Sequence, residues 1–194
     1  MNTQMLAIEQ GRALLALARR VIGERLGVPP PSTTSSLPSA TDPALQNRQG
    51  TFVTIKIRGQ LRGCIGNLAG TTSIYEGIRQ NALNAAFHDP RFPPLRPEEF
   101  AAIHIAISVL TPAQPLAHQG GADLLDKLRP GIDGVIIRKG AAGATFLPQV
   151  WEQLPRPTDF LAHLCRKAGL PPDAWQGADL AVATYQAQYF AEAE

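Results

Sequence analysis

Cysteine is scarce in this chain, and charge runs, long apolar runs and aromatic clusters are missing. Two cysteines in 194 residues, Cys64 and Cys165, cannot build a disulfide framework or a cysteine-rich zinc site. They read as free thiols in a reducing compartment, which makes the cytoplasm the expected location. The apolar run ALLALA at residues 13–18 is far shorter than the stretch of about 20 residues a bilayer needs. It continues as an amphipathic pattern instead of ending at a small-residue cleavage site, so neither a membrane span nor a signal peptide is expected. Lys and Arg number 18 against 16 Asp and Glu, and no basic run collects them. With that balance, and with no aromatic stacking platform, nucleic-acid binding is unsupported. A Walker A loop, a dinucleotide GxGxxG after a strand, a GxSxG elbow, HExxH and paired CxxC are all absent. No motif names a cofactor, which stays unknown, and none settles whether the chain is an enzyme. No metal site is expected either: His163 and Cys165, two residues apart on a predicted helix, do not face each other.

What is present is an alternation of helical and strand periods. Leu14, Leu17, Ala18 and Val21 predict a first helix over residues 3–26, stopped by Gly27 and three prolines. Residues 29–48 hold few large apolar groups and read as a surface loop. TFVTIKIR alternates Val53, Ile55 and Ile57 with Thr54, Lys56 and Arg58, a half-buried strand. Gly59-Gln60 suggests a turn into a second strand, LRGCIGNL. Ser73 with Glu76 fits a capping box, opening a helix to about Phe87 with Ile74, Ile78, Ala82 and Ala85 as its apolar stripe. A proline-rich connection leads to the strand IHIAISVL at 103–110. A short helix at 121–128, the hairpin GVIIRKG to ATFLP, a helix at 158–168 and one last strand through Tyr185, Ala187 and Tyr189 complete the pattern. Hairpin connections favour an α+β fold with a mostly antiparallel or mixed sheet over a doubly wound parallel one.

The candidate chemistry centres on QLRGCIGNLAG, residues 60–70. Cys64 stands between Gly63 and Gly66, two residues after Arg62. A neighbouring cation favours the nucleophilic thiolate; on a strand, the two-residue spacing puts Arg62 and Cys64 on one face. Cys64 equally reads as a small buried residue, with the glycines serving a bulge. A cysteine nucleophile calls for a histidine base. His88 closes a helix in HDPRF, where Asp89 is able to orient an imidazole and Arg91 to hold an anion; the same residues also read as a helix end and a turn. His104 reads as a solvent-facing strand residue, and Cys165 falls on the apolar stripe of its helix with Leu161, Leu164 and Ala168. Trp151 and Trp175 read as packing anchors.

These motifs resemble one family. LRGCIG at 61–66 is similar to the signature of the AMMECR-type domain, the AmmeMemoRadiSam system protein A family. FVTIKIRGQLRGCIG, AFHDPRFPPL, ISVLTP, PGIDGVIIRKG, ATFLPQVW and FLAHLCRKAGLPPDAW occur in family order. The resemblance covers nearly the whole chain, so one AMMECR-type domain over 1–194 is expected, with 29–48 departing from the compact pattern. It implies a two-lobed α+β fold, a main antiparallel sheet flanked by helices plus a smaller second sheet, and a cleft between the lobes holding RGCIG. It implies Cys64 as the candidate catalytic thiol, nucleophilic or redox. Arg62, Gly63, Ile65, Gly66, Asn67, His88, Asp89, Arg91 and Gln149 are the candidate binding residues. Pro90 and Phe92 belong to the second matching block, and Leu147, Pro148 and Val150 to the third. It further implies a Memo-like protein and a radical SAM protein as partners, and a small molecule bound or transformed at Cys64. A non-catalytic module for a partner protein or RNA is the alternative.

Overall fold

The computed structural model describes residues 5–29 and 37–193. The expected loop at 29–48 falls partly outside them, at 30–36, and the predicted first helix begins outside them, at residues 3–4. The helix observed, α1, spans Ile8–Leu26. The chain divides into two compact units, one holding residues up to Leu110 and from Gln188 on, the other Thr111–Ala187. The architecture is α+β throughout.

The first unit is a four-stranded sheet with helices on one face. Its strands β1 (Thr51–Ile57), β2 (Gln60–Asn67), β3 (Ile103–Leu110) and β8 (Ala187–Ala191) lie in the order β2-β1-β3-β8, with β1 antiparallel to both neighbours. Alternation gives β1 and β3 one wholly apolar face: Val53, Ile55, Ile105 and Ile107 are essentially inaccessible. Against it pack Leu14, Ala18 and Ile22 of α1 and Ile78, Ala82 and Ala85 of α2 (Ile74–Phe87). Each buried Leu or Ile contributes roughly 1.5–3 kcal/mol by leaving water, and each Ala methyl roughly 0.8 kcal/mol. Ser73 caps α2 by accepting the Glu76 N–H at 3.3 Å, but the Glu76 carboxylate pairs with Arg79 instead of returning to the cap. Only half of the capping box forms. Buried Asn81 ties α2 to β1, donating to the Thr51 carbonyl at 3.0 Å and to its hydroxyl at 2.9 Å.

The second unit carries a sheet of shorter strands: β4 (Gln114–Pro115), β5 (Gly134–Lys139), β6 (Ala142–Phe146) and β7 (Ala181–Tyr185), in the order β4-β7-β5-β6. β7 pairs antiparallel with β4 and β5, and β5 pairs antiparallel with β6. Helices α3 (Gly121–Lys127) and α4 (Pro157–Lys167) supply Leu124, Phe160, Leu161 and Leu164 to its core. Trp151 stacks on Phe160 with ring centroids 3.7 Å apart and donates its indole N–H to the Asp133 carbonyl at 2.7 Å.

The last strand differs from expectation. One strand was predicted through Tyr185 and Tyr189; there are two, β7 and β8, in different sheets. The side-chain alternation runs unbroken across Gln186, so periodicity gives no sign of the break. Hydrogen bonds make it: Thr111 N–H donates to the Gln186 carbonyl, and Gln186 N–H donates to the Thr111 hydroxyl, both at 2.8 Å. Among the described residues no helix is long and apolar enough to cross a membrane.

Candidate functional site

Cys64 owes its orientation to one extra residue in β2. Arg58 and Gly59 both have positive φ, 51° and 77°, the pattern of a tight type I′ hairpin turn, so Ile57 pairs with Gln60. The register then slips: Lys56 pairs with Leu61, but Ile55 pairs with Gly63. Arg62 is the bulged residue. A bulge re-aims its side chain and breaks the alternation that would otherwise keep Arg62 and Cys64 together on one face. Gly63 now faces the helices with Ile55. A Cβ there would overlap the Ala85 carbonyl of α2, and one at Gly66 would overlap the Phe52 ring, so both glycines are required by close packing. Ile65 packs toward the core, and half-buried Asn67 ends the strand opposite Thr51.

Cys64 therefore lies opposite Thr54 on the face away from the helices, with the Thr54 hydroxyl 3.3 Å from its sulfur. β2 is an edge strand, and the backbone N–H and C=O of Cys64 point outward. The HDPRF turn satisfies both. The Asp89 carboxylate accepts the Cys64 N–H at 2.9 Å, and an Arg91 guanidinium nitrogen donates to the Cys64 carbonyl at 3.1 Å. Thr54 and Cys64 are thus a pair without mutual backbone bonds, the kind in which facing side chains come closest.

Asp89 is the keystone. Its side chain is 1% exposed and also accepts the Arg91 backbone N–H (3.1 Å), Nε–H (2.9 Å) and Nη2–H (2.7 Å). The Arg91 guanidinium holds this carboxyl far below the usual range against the opposing effect of burial, helped by the Cys64 and Arg91 backbone N–H groups. The Arg91 side chain is 54% exposed, and its Nη1 has no hydrogen-bond partner among the described residues. A charged donor edge thus stands free beside the strand that carries the thiol.

The profile of the AMMECR1 family matches residues 15–190. The chain belongs to the AMMECR1 family. It is 38% identical to a protein of Methanothermobacter thermautotrophicus, over 96% of each chain, and 36% identical to one of Methanopyrus kandleri, over 98% of this chain and 92% of that one. The crystal structure of an uncharacterized Pyrococcus horikoshii protein superposes with a TM-score of 0.84 at 36% identity, covering 95% of this chain and 92% of the other.

In this AMMECR1-family chain the remaining candidates go separate ways. Arg62, 13% exposed, forks onto Glu99 at 2.8 and 3.0 Å and donates to the Pro93 carbonyl at 2.9 Å. Its charge is spent pinning the proline-rich connection; that pairing and the Arg96 N–H hold the Glu99 carboxyl below its ordinary value. Exposed His88 caps α2 through its backbone N–H, bonded to the Asn84 carbonyl at 2.9 Å. The Asp89 carboxylate reaches Cys64 and Arg91, and no hydrogen bond links it to the His88 ring. Gln149 belongs to the second unit, in the turn Pro148–Glu152, where its Oε1 is buried without a hydrogen-bond partner among the described residues. Among the described residues no three of His, Cys, Asp and Glu are placed to hold a metal. Two contributors escaped the sequence reading, Thr54 and Glu99. Thr54 was visible only as a polar-face residue of β1; the glycines of β2 suggest a bulge, but not that Arg62 is the bulged residue that sets Thr54 against Cys64.

Proposed function

We propose that this AMMECR1-family protein binds or transforms a small molecule at Cys64, with the thiol in direct contact with it. The observation that carries the reading is the scaffold: a partly exposed thiol, hydrogen-bonded to Thr54, on a strand edge whose backbone is locked by buried Asp89 and half-exposed Arg91. A thiol held in one orientation beside a cation with a free donor suits a ligand that presents an anionic group to Arg91 and another group to sulfur. The partners implied by the family resemblance, a radical SAM protein and a Memo-like protein, belong to this proposal as the source or recipient of that molecule. Native mass spectrometry of protein taken directly from lysate tests it. Wild type is expected to carry a bound small mass that Cys64→Ala loses. Wild type and Cys64→Ala carrying the same mass would overturn the role of the thiol.

A second reading, a non-catalytic binding module for a partner protein or RNA, is favoured by Gly63, Gly66 and Arg62. The glycines answer to packing, and Arg62 answers to Glu99. On that reading Arg91→Ala abolishes binding and Cys64→Ala leaves it intact.

A further inference from the structure

An open groove of about 700 Å³ lies in the first unit and includes none of Cys64, Asp89 and Arg91. Helix α1 forms one wall with Arg12, Leu15, Ala16 and Arg19; residues 101–104 and 191–193 form the rest. Its volume is that of a small-molecule site.

The charges lining it do not balance. Arg19 forks onto the Glu192 carboxylate and donates to the Ile103 carbonyl at 2.7 Å, while Glu192 also accepts the Ile105 N–H at 2.8 Å. Both side chains are at most 20% exposed, so this pair is a neutral, saturated wall. What remains is exposed Arg12, with no hydrogen-bond or ion-pair partner among the described residues. Among the described residues no unpaired carboxylate lines the groove. Leu15, Ile103 and the alanines make a shallow apolar floor.

We infer that this groove binds a small organic anion, a carboxylate or phosphate monoester on a short apolar body. Arg12 holds the charged head, since its planar fork fits either group and loses no existing partner in doing so. The alanine floor takes the body. An unpaired surface arginine is ordinary by itself; the groove beside it, where the one carboxylate among the described lining residues is already neutralised, is what selects an anion.

The test is an NMR titration of the full chain with hexanoate, hexyl phosphate and, as the uncharged control, hexanamide. Saturable shifts at the Ala16, Ala102 and Ala193 amides are expected from at least one anion, with hexanamide about tenfold weaker or worse. Arg12→Gln, at an exposed position with no hydrogen bond or ion pair among the described residues to lose, is expected to weaken the anion about tenfold. The tighter of the two anions names the head group. Cys64→Ala is expected to leave the titration unchanged, which separates this site from the one proposed above. Absence of saturable shifts with both anions, shifts centred elsewhere, or an Arg12→Gln protein that binds as well as wild type would overturn it.

Discussion

Cys165 lies on the inward face of α4 beside Phe160, Leu161 and Leu164, and none of its surface reaches solvent. Cys64 lies on the edge strand β2, partly exposed, against Thr54. Burial pushes the Cys165 thiol up, away from the reactive thiolate. What surrounds Cys165 is mostly generic: apolar side chains at helical spacing that would accept any small apolar residue, with one backbone hydrogen bond from Trp175. What surrounds Cys64 is specific, a bulge, a cross-strand hydroxyl and a buried carboxylate braced by an arginine. A thiol in the first setting is packing. In the second, several polar groups are committed to holding one short stretch of backbone, which is costly to assemble by accident because each buried polar group needs its own partner.

The contrast breaks most plainly on reactivity. In the native protein iodoacetamide is expected to modify Cys64 at least about a thousandfold faster than Cys165, because Cys165 reacts only after its core opens. In denaturant the two rates should converge. Peptide mass spectrometry over a time course reads both, and equal native rates would erase the distinction.

Asp89→Ala comes next. It orphans the Cys64 N–H and leaves Arg91 without its counter-charge, a loss of about 3 kcal/mol in a urea melt. Acid sharpens this. The folded carboxyl titrates below its unfolded value of about 3.9, so its contribution is complete above that value and is lost as pH falls toward the folded one. Wild type should weaken steadily below about pH 4, and Asp89→Asn should weaken less steeply. Parallel pH curves for the two proteins would mean the pairing adds nothing.

Serine at the two cysteine positions gives the third comparison. Cys165→Ser puts a hydroxyl among apolar side chains and should cost about 2 kcal/mol. Cys64→Ser keeps a partner in Thr54 and should cost under about 1 kcal/mol. The smallest effect is a gain: Arg58→Gly relieves a left-handed residue in the β1–β2 turn and should add up to about 1 kcal/mol without moving the alkylation rate of Cys64.

Much of this was legible in the chain. The stripes Ile74, Ile78, Ala82, Ala85 and Leu161, Leu164, Cys165 are buried as their spacing predicts, because a regular element that must hide one face writes that face into its period. Ser73, the strands at 51–57 and 103–110 and the α+β class follow from the same local rules. The turn at Asp89-Pro90 is local too, but the sequence points Asp89 at the His88 imidazole, and only the structure pairs it with Arg91.

What lay beyond reach depends on registers and partners far apart in sequence. A two-residue turn at Arg58-Gly59 with unbroken pairing would set Thr54 against Gly63; the bulge at Arg62 sets it against Cys64 instead. That single slip turns Gly63 under α2 and the thiol away from the helices, since side chains on a strand change face with every residue. It is fixed by Arg62 reaching Glu99 and by the Ala85 backbone pressing on Gly63, 37 and 22 positions along the chain. The division of the final alternating stretch into β7 and β8 likewise rests on Thr111. The sequence by itself determined which residues hide from water and which elements they build, because burial is periodic. Only the tertiary structure decided which way Cys64 points, because an edge strand's register is settled by the groups that dock against it.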